Sequence, residues 1–254
     1  MPGTGHPLEQ RTGTTRRTAV KASALMACLG ALAMSGEGRA APPAKETGLS
    51  YEGLLKGLPG FQPRTPAPPP DAGISGFLSK AQIARSYAVY RDAFAALLNA
   101  EQALQSASRD ASDVETYRGL RARQVTTANA VLLHEFYFRN LSATSVDPSR
   151  YIRANMTEHM GTLDTWREDF TACARAAEAW AVLVYDPYDD RWHNLPLGRG
   201  DAGGMVGTNP LVVCNVAEEA WSTDYRDRES YIEAFFSHID WTEVASRYHA
   251  VDRK

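Results

Sequence analysis

Apolar residues recur at three- and four-residue intervals from Leu78 onward, at Ile83, Tyr87, Tyr90, Phe94, Leu97 and Leu98. That spacing stacks them on one face of a helix, and Ser79, with a hydroxyl that can accept from a first-turn amide, is its expected N-cap. A second helix is predicted from Val114 to Leu141, with Leu120, Val125, Ala128, Leu132, Phe136 and Leu141 on one side. The polar stretch 106–113 joins the two as an antiparallel helical hairpin, and Pro148 ends that half. Met156 to Ala181 again reads as helix, through Leu163, Trp166, Phe170, Ala174 and Ala177. Trp180 to Tyr185 is a short apolar run, and Asp186-Pro187-Tyr188-Asp189-Asp190 is a turn before Arg191 to Leu197, together a hairpin. Pro210 to Cys214 is a third buried strand by its β-branched content, and Glu218 to Tyr248 returns to helix. The predicted class is α+β: a long N-terminal antiparallel helical hairpin, then a three-stranded antiparallel sheet flanked by helices.

Upstream the pattern changes. Thr15-Arg16-Arg17-Thr18-Ala19-Val20-Lys21 reads as a twin-arginine export motif, followed by an apolar run from Ala22 to Met34 and the small residues around Gly38-Arg39-Ala40. That run is too short to span a hydrocarbon core of roughly 30 Å comfortably. Residues 1–40 are therefore expected to be a signal, with the mature protein periplasmic or extracellular. An uncleaved anchor is the alternative, and lipidation at Cys28 is set aside because the apolar run continues past it. Residues 41–74 hold Pro66, Pro68, Pro69 and Pro70, which cannot sustain a hydrogen-bonded ladder, so an arm or linker is expected. Its Leu54, Leu55, Leu58 and Phe61 are candidates to dock on the fold. The helical hairpin then occupies 75–147 and the α+β domain 148–254.

Composition narrows this little further. With 44% hydrophobic and 22% charged residues the chain can bury a sizeable core, and a net charge of -3 leaves no electrostatic footprint for nucleic acid or an anionic membrane. Cleavage after Ala40 leaves Cys173 and Cys214, which export would permit to bridge. The simpler reading is two small buried residues.

Four segments carry a resemblance to a known family. They are Leu78 to Asn99; His134-Glu135-Phe136-Tyr137-Phe138-Arg139-Asn140-Leu141; Trp180 to Asp186; and Asn209 to Trp221 continuing through Asp224-Tyr225, Tyr231 to Phe236 and Ile239-Asp240-Trp241. In order and spacing, over about residues 75–250, they resemble the iron/manganese superoxide dismutases. That family binds one redox metal through three histidines and an aspartate. The resemblance puts His134 at one ligand position, with Ser86, Asn215 and Glu219 standing where a histidine, the aspartate and a histidine are expected. Around them Tyr90 replaces a histidine, Phe94 the gateway tyrosine and Ala217 a tryptophan, while Ala130 stands where one branch keeps a glutamine. Glu218 and Trp221 fall where the family's subunits meet, so a homodimer is implied.

One imidazole and one carboxylate would hold a first-row metal weakly, and a neutral serine and asparagine add no charge to offset a trivalent ion. His134 and Glu219 could form a buried polar pair satisfied by Asn215 and Ser86, or a metal site of altered chemistry could draw on His134, Glu219, Glu135 or Tyr90. No histidine lies between Pro7 and Leu133 to rescue the site, and His159, His193, His238 and His249 read as exposed or capping residues. The expected function is a binding or structural role with dismutation lost. The alternative is a metal-dependent oxidoreductase detoxifying superoxide or using an altered centre. The cofactor is left open between none, weakly bound iron or manganese, and another divalent metal. An unidentified protein partner is also open, with no nucleic acid and no membrane after cleavage.

Overall fold

Ser79 caps as its position predicts: its hydroxyl accepts from the Gln82 amide at 3.1 Å, and α1 runs Lys80–Ser106. The computed structural model describes residues 73–200 and 204–252, so the predicted export signal and nearly all of the arm lie outside the described residues. The second helix, α2, spans Val114–Arg139, and the hairpin expected from the polar 106–113 stretch is formed. Tyr90, Phe94, Leu97 and Val131 pack along its seam.

The buried face of α2 is not the one its apolar residues predict. Its buried positions are Gln124, Val131, Leu133, His134, Glu135 and Tyr137, whereas Val125 is exposed and Leu120, Leu132 and Phe136 are half-buried. Val125, Leu132 and Phe136 instead border an apolar cleft of about 450 Å³ between α2, the sheet residues Val182 and Leu195, and the loop before the third strand. Leu141 lies past the helix end, bridged to Ile239.

The helix predicted over Met156 to Ala181 is two helices, α3 (Arg150–Met160) and α4 (Leu163–Ala176). Gly161 breaks it with φ +90°, a conformation that L side chains rarely adopt, and Thr162 caps α4 in a reciprocal box with Thr165. The sheet follows as predicted: β1 (Trp180–Asp186), β2 (Arg191–Leu197) and β3 (Asn209–Asn215), antiparallel in the order β2-β1-β3. Every residue of the central strand is buried, which is why β1 reads as a continuous apolar run. The last predicted helical stretch is divided into a 3-10 turn, Glu218–Ala220, then α5 (Arg228–Phe236) and α6 (Trp241–Val251). Asp227 and Asp240 make the division by capping α5 and α6 through their side chains.

α4 packs on β1 and β2, while α2 and α6 pack on β3. Asn140, fully buried at the end of α2, ties three elements together. Its amide nitrogen donates to the Tyr137 carbonyl at 3.0 Å, its side-chain oxygen accepts from Val213 N at 2.7 Å, and its carbonyl accepts from Asp240 N at 2.9 Å. Cys173 and Cys214 are free thiols, the first half-buried and the second buried. Among the described residues no helix is long and apolar enough to cross a membrane.

Candidate metal-ligand site

The four ligand positions come from four elements: Ser86 from α1, His134 from α2, Asn215 from the end of β3, and Glu219 from the 3-10 turn. A set of polar ties fastens the 218–225 segment to the first two turns of α1. Ser79 donates through its amide and hydroxyl to Asp224 at 2.6 and 2.7 Å, and Arg85 donates to the Ser222 hydroxyl at 2.9 Å. The Tyr225 hydroxyl donates to the Phe77 carbonyl at 3.0 Å. Gln82, fully buried, does most: its Nε2 donates to the Glu219 carbonyl at 2.7 Å and to Ser86 Oγ at 3.2 Å, and its Oε1 accepts from Thr223 N at 2.9 Å.

These ties hold the site's backbone, yet three of the four side chains are committed elsewhere. Ser86 Oγ accepts from Gln82. Asn215 Oδ1 accepts from Ala217 N at 3.1 Å, closing a turn on its own backbone. Glu219 turns its carboxylate to Arg199, whose two terminal nitrogens reach Oε1 and, at 3.4 Å, Oε2. Burial pushes the Glu219 carboxyl up, but the Arg199 guanidinium, a backbone amide and His134 together outweigh it and hold the group below its ordinary range.

His134 is different. Its Nδ1 lies 2.7 Å from the Ala130 carbonyl, which can only accept, so the ring proton sits on Nδ1. Nε2 therefore carries a lone pair, is buried, and has no hydrogen-bond partner. Burial lowers the imidazole pKa to about 4, the Ala130 carbonyl and the Glu219 charge opposing it only in part. The ring stands edge-on to Trp180 at 4.8 Å and near Tyr90 and Phe138. The buried His134–Glu219 pair anticipated from the sequence is thus not formed, because Arg199 takes the carboxylate.

The neighbouring substitutions fill space or pair among themselves. The Tyr90 hydroxyl donates to Glu135 Oε1 at 3.0 Å, and Phe94 packs edge-on against Tyr90. Glu218 is exposed, and Trp221 is half-buried with its indole donating to the Val216 carbonyl at 3.1 Å. Of the remaining histidines, His249 is exposed as expected, while His159, His193 and His238 are half-buried. His159 stacks on Trp192, His238 on Phe77 and His249 on Tyr151, while His193 pairs with Asp189 at 2.8 Å. The one group of three potential ligand side chains found together among the described residues, Asp186, Asp189 and His193, lies at the β1–β2 turn and away from the four positions.

The donor set does not fit a trivalent iron or manganese ion. A single imidazole nitrogen is free to bind; the serine and asparagine oxygens are neutral and engaged, and the one carboxylate is neutralised by an arginine. Gln82 and Arg199 were the residues sequence reading missed. Gln82 is one helical turn before Ser86, a periodicity that marks it as facing the same way. Arg199 carries no local signal, since only the sheet brings it to Glu219.

Residues 148–247 match the family described as iron/manganese superoxide dismutases, C-terminal domain. A manganese superoxide dismutase of Halobacterium salinarum is 30% identical over 152 residues, covering 59% of this chain and 76% of the relative. An iron superoxide dismutase of Aquifex pyrophilus is 30% identical over 151 residues, 59% of this chain and 71% of the relative. A second manganese enzyme, from Haloferax volcanii, is 29% identical over 152 residues, with 59% and 76% covered.

Proposed function

The chain belongs to the iron/manganese superoxide dismutase family, and from that premise we propose that it is an exported member that has lost superoxide dismutation and serves a binding or structural role. The observation that carries this is the commitment of Glu219 to Arg199, which leaves His134 Nε2 as the lone uncommitted donor of the four. Dismutation needs a metal that cycles by one electron, at a potential set by its ligands and their hydrogen bonds. One neutral imidazole supplies neither the charge nor the coordination. Phe94 in place of the gateway tyrosine also removes a hydroxyl that could pass protons. The twin-arginine motif at Arg16-Arg17 supports export of the folded protein. The positions of Glu218 and Trp221 support a homodimer.

A second reading, an oxidoreductase with a rebuilt centre, is favoured by one observation: a buried, unpartnered Nε2 is the kind of atom that binds a metal. Elemental analysis of the mature protein from its native host, run beside a superoxide assay, separates the two. The proposal expects sub-stoichiometric iron and manganese and no turnover. Stoichiometric metal with activity would overturn it.

A further inference from the structure

With the ring proton on Nδ1, His134 Nε2 and the Glu219 carboxylate both offer only lone pairs, so neither can bond the other; a hydrogen-bond donor or a cation is needed to satisfy them. The cation present comes from outside the four positions. We propose that Arg199 is the resident cation of this site: its guanidinium holds Glu219 and takes the place of the metal charge that this fold is built around. The inference rests on the reading above that the site holds no redox metal.

Three features position Arg199 for this. Its carbonyl accepts from the Trp180 indole at 3.5 Å, the same indole that His134 meets edge-on. The next residue, Gly200, lies so close to α2 that a Cβ there would come within 2.4 Å of the Thr126 carbonyl oxygen, so the backbone is pressed against that helix and a side chain is excluded. The guanidinium then spans two carboxylates, reaching Glu219 through both terminal nitrogens and Glu178 through Nε at 3.7 Å. A planar fork suits a carboxylate and keeps its charge at any physiological pH, so it neutralises Glu219 permanently and without redox chemistry. Arg199 itself is 60% exposed but Glu219 only 19%, so losing that partner would leave a poorly solvated carboxylate whose charge the unsatisfied imidazole feels.

Removing Arg199 should therefore uncover a two-donor site for a divalent cation. The test is titration of the chelator-stripped mature protein with Co(II), read by visible absorption, for the wild type, Arg199→Ala, Arg199→Lys and the double variant Arg199→Ala/Glu219→Gln. Arg199→Gln substitutes for the alanine variant should that fail to fold. Arg199→Ala is expected to bind one Co(II) per chain at least about tenfold more tightly than the wild type. The gain should vanish in the double variant, and Arg199→Lys should behave as the wild type does. Equal affinities in wild type and Arg199→Ala would overturn the assignment of Arg199. Superoxide turnover by the wild type would instead overturn the metal-free reading, so the two failures are told apart.

Discussion

The helical hairpin and the α+β half differ in the polar groups they bury. In the α+β half the buried Asn155 and Asp186 have partners, Asn155 donating to the Tyr151 carbonyl and accepting from the Tyr248 hydroxyl and Asp186 accepting from Tyr188 N, while the Trp192 indole nitrogen has none. The hairpin buries partnered amides too, Gln82 and Asn140, but adds titratable groups, Glu101, His134 and Glu135, two of which keep an atom unsatisfied, Glu101 Oε1 and His134 Nε2. The family match at 148–247 falls on the α+β half. The difference teaches that a packed sheet and its helices keep their form through apolar contacts and amide hydrogen bonds, beside a polar interior in which lone pairs go unmet. Such contacts are complete in themselves; a buried lone pair is not, until a donor or a cation meets it.

If that contrast is right, perturbations should cost most where apolar packing and amide hydrogen bonds hold the sheet and its helices together. Trp166 is fully buried against Phe170, Phe236 and Trp241, and Trp166→Ala should destabilise by about 3–5 kcal/mol in chemical denaturation. Asn140→Ala should cost about 2–3 kcal/mol, because it strands Val213 N in the core. A loss below about 1 kcal/mol at either position would break the comparison.

In the hairpin the signs change. Burial raises the Glu101 carboxyl to about 7 from 4.5, so the folded state holds a proton that the unfolded state releases between those values. Stability should therefore fall as pH rises from about 4.5 to about 7, and Glu101→Gln should remove that slope and gain about 1–2 kcal/mol above pH 7. Denaturant midpoints across that range check both. The smallest effect is expected at the site itself: His134→Leu removes an unsatisfied nitrogen and should shift stability by less than about 1 kcal/mol. A cost of several kcal/mol there would show that the imidazole is satisfied by a ligand after all.

The same asymmetry decided how much could be read from the sequence. The sheet was legible because β1 is buried on both faces and β3 is β-branched, and Ser79 announced the start of α1. The long helix over Met156 to Ala181 was not, since nothing in the apolar spacing shows that Gly161 takes a positive φ. On α2 the apolar residues Val125, Leu132 and Phe136 pointed to a cleft, while the core face carried His134 and Glu135, which a hydrophobic pattern scores as surface. The ligand positions themselves were found by resemblance. Their partners Gln82 and Arg199 were not, because a hydrogen bond across 137 residues or an ion pair across 20 leaves no local trace.

The most direct test of the central claim is thermal unfolding of the chelator-stripped mature protein with and without excess Mn(II) or Fe(II). A ligand bound only by the folded state raises the midpoint, by about 2.7 kcal/mol of stability at a hundredfold excess over its dissociation constant. The account predicts the same midpoint with and without metal. A rise that saturates at one metal per chain would contradict it.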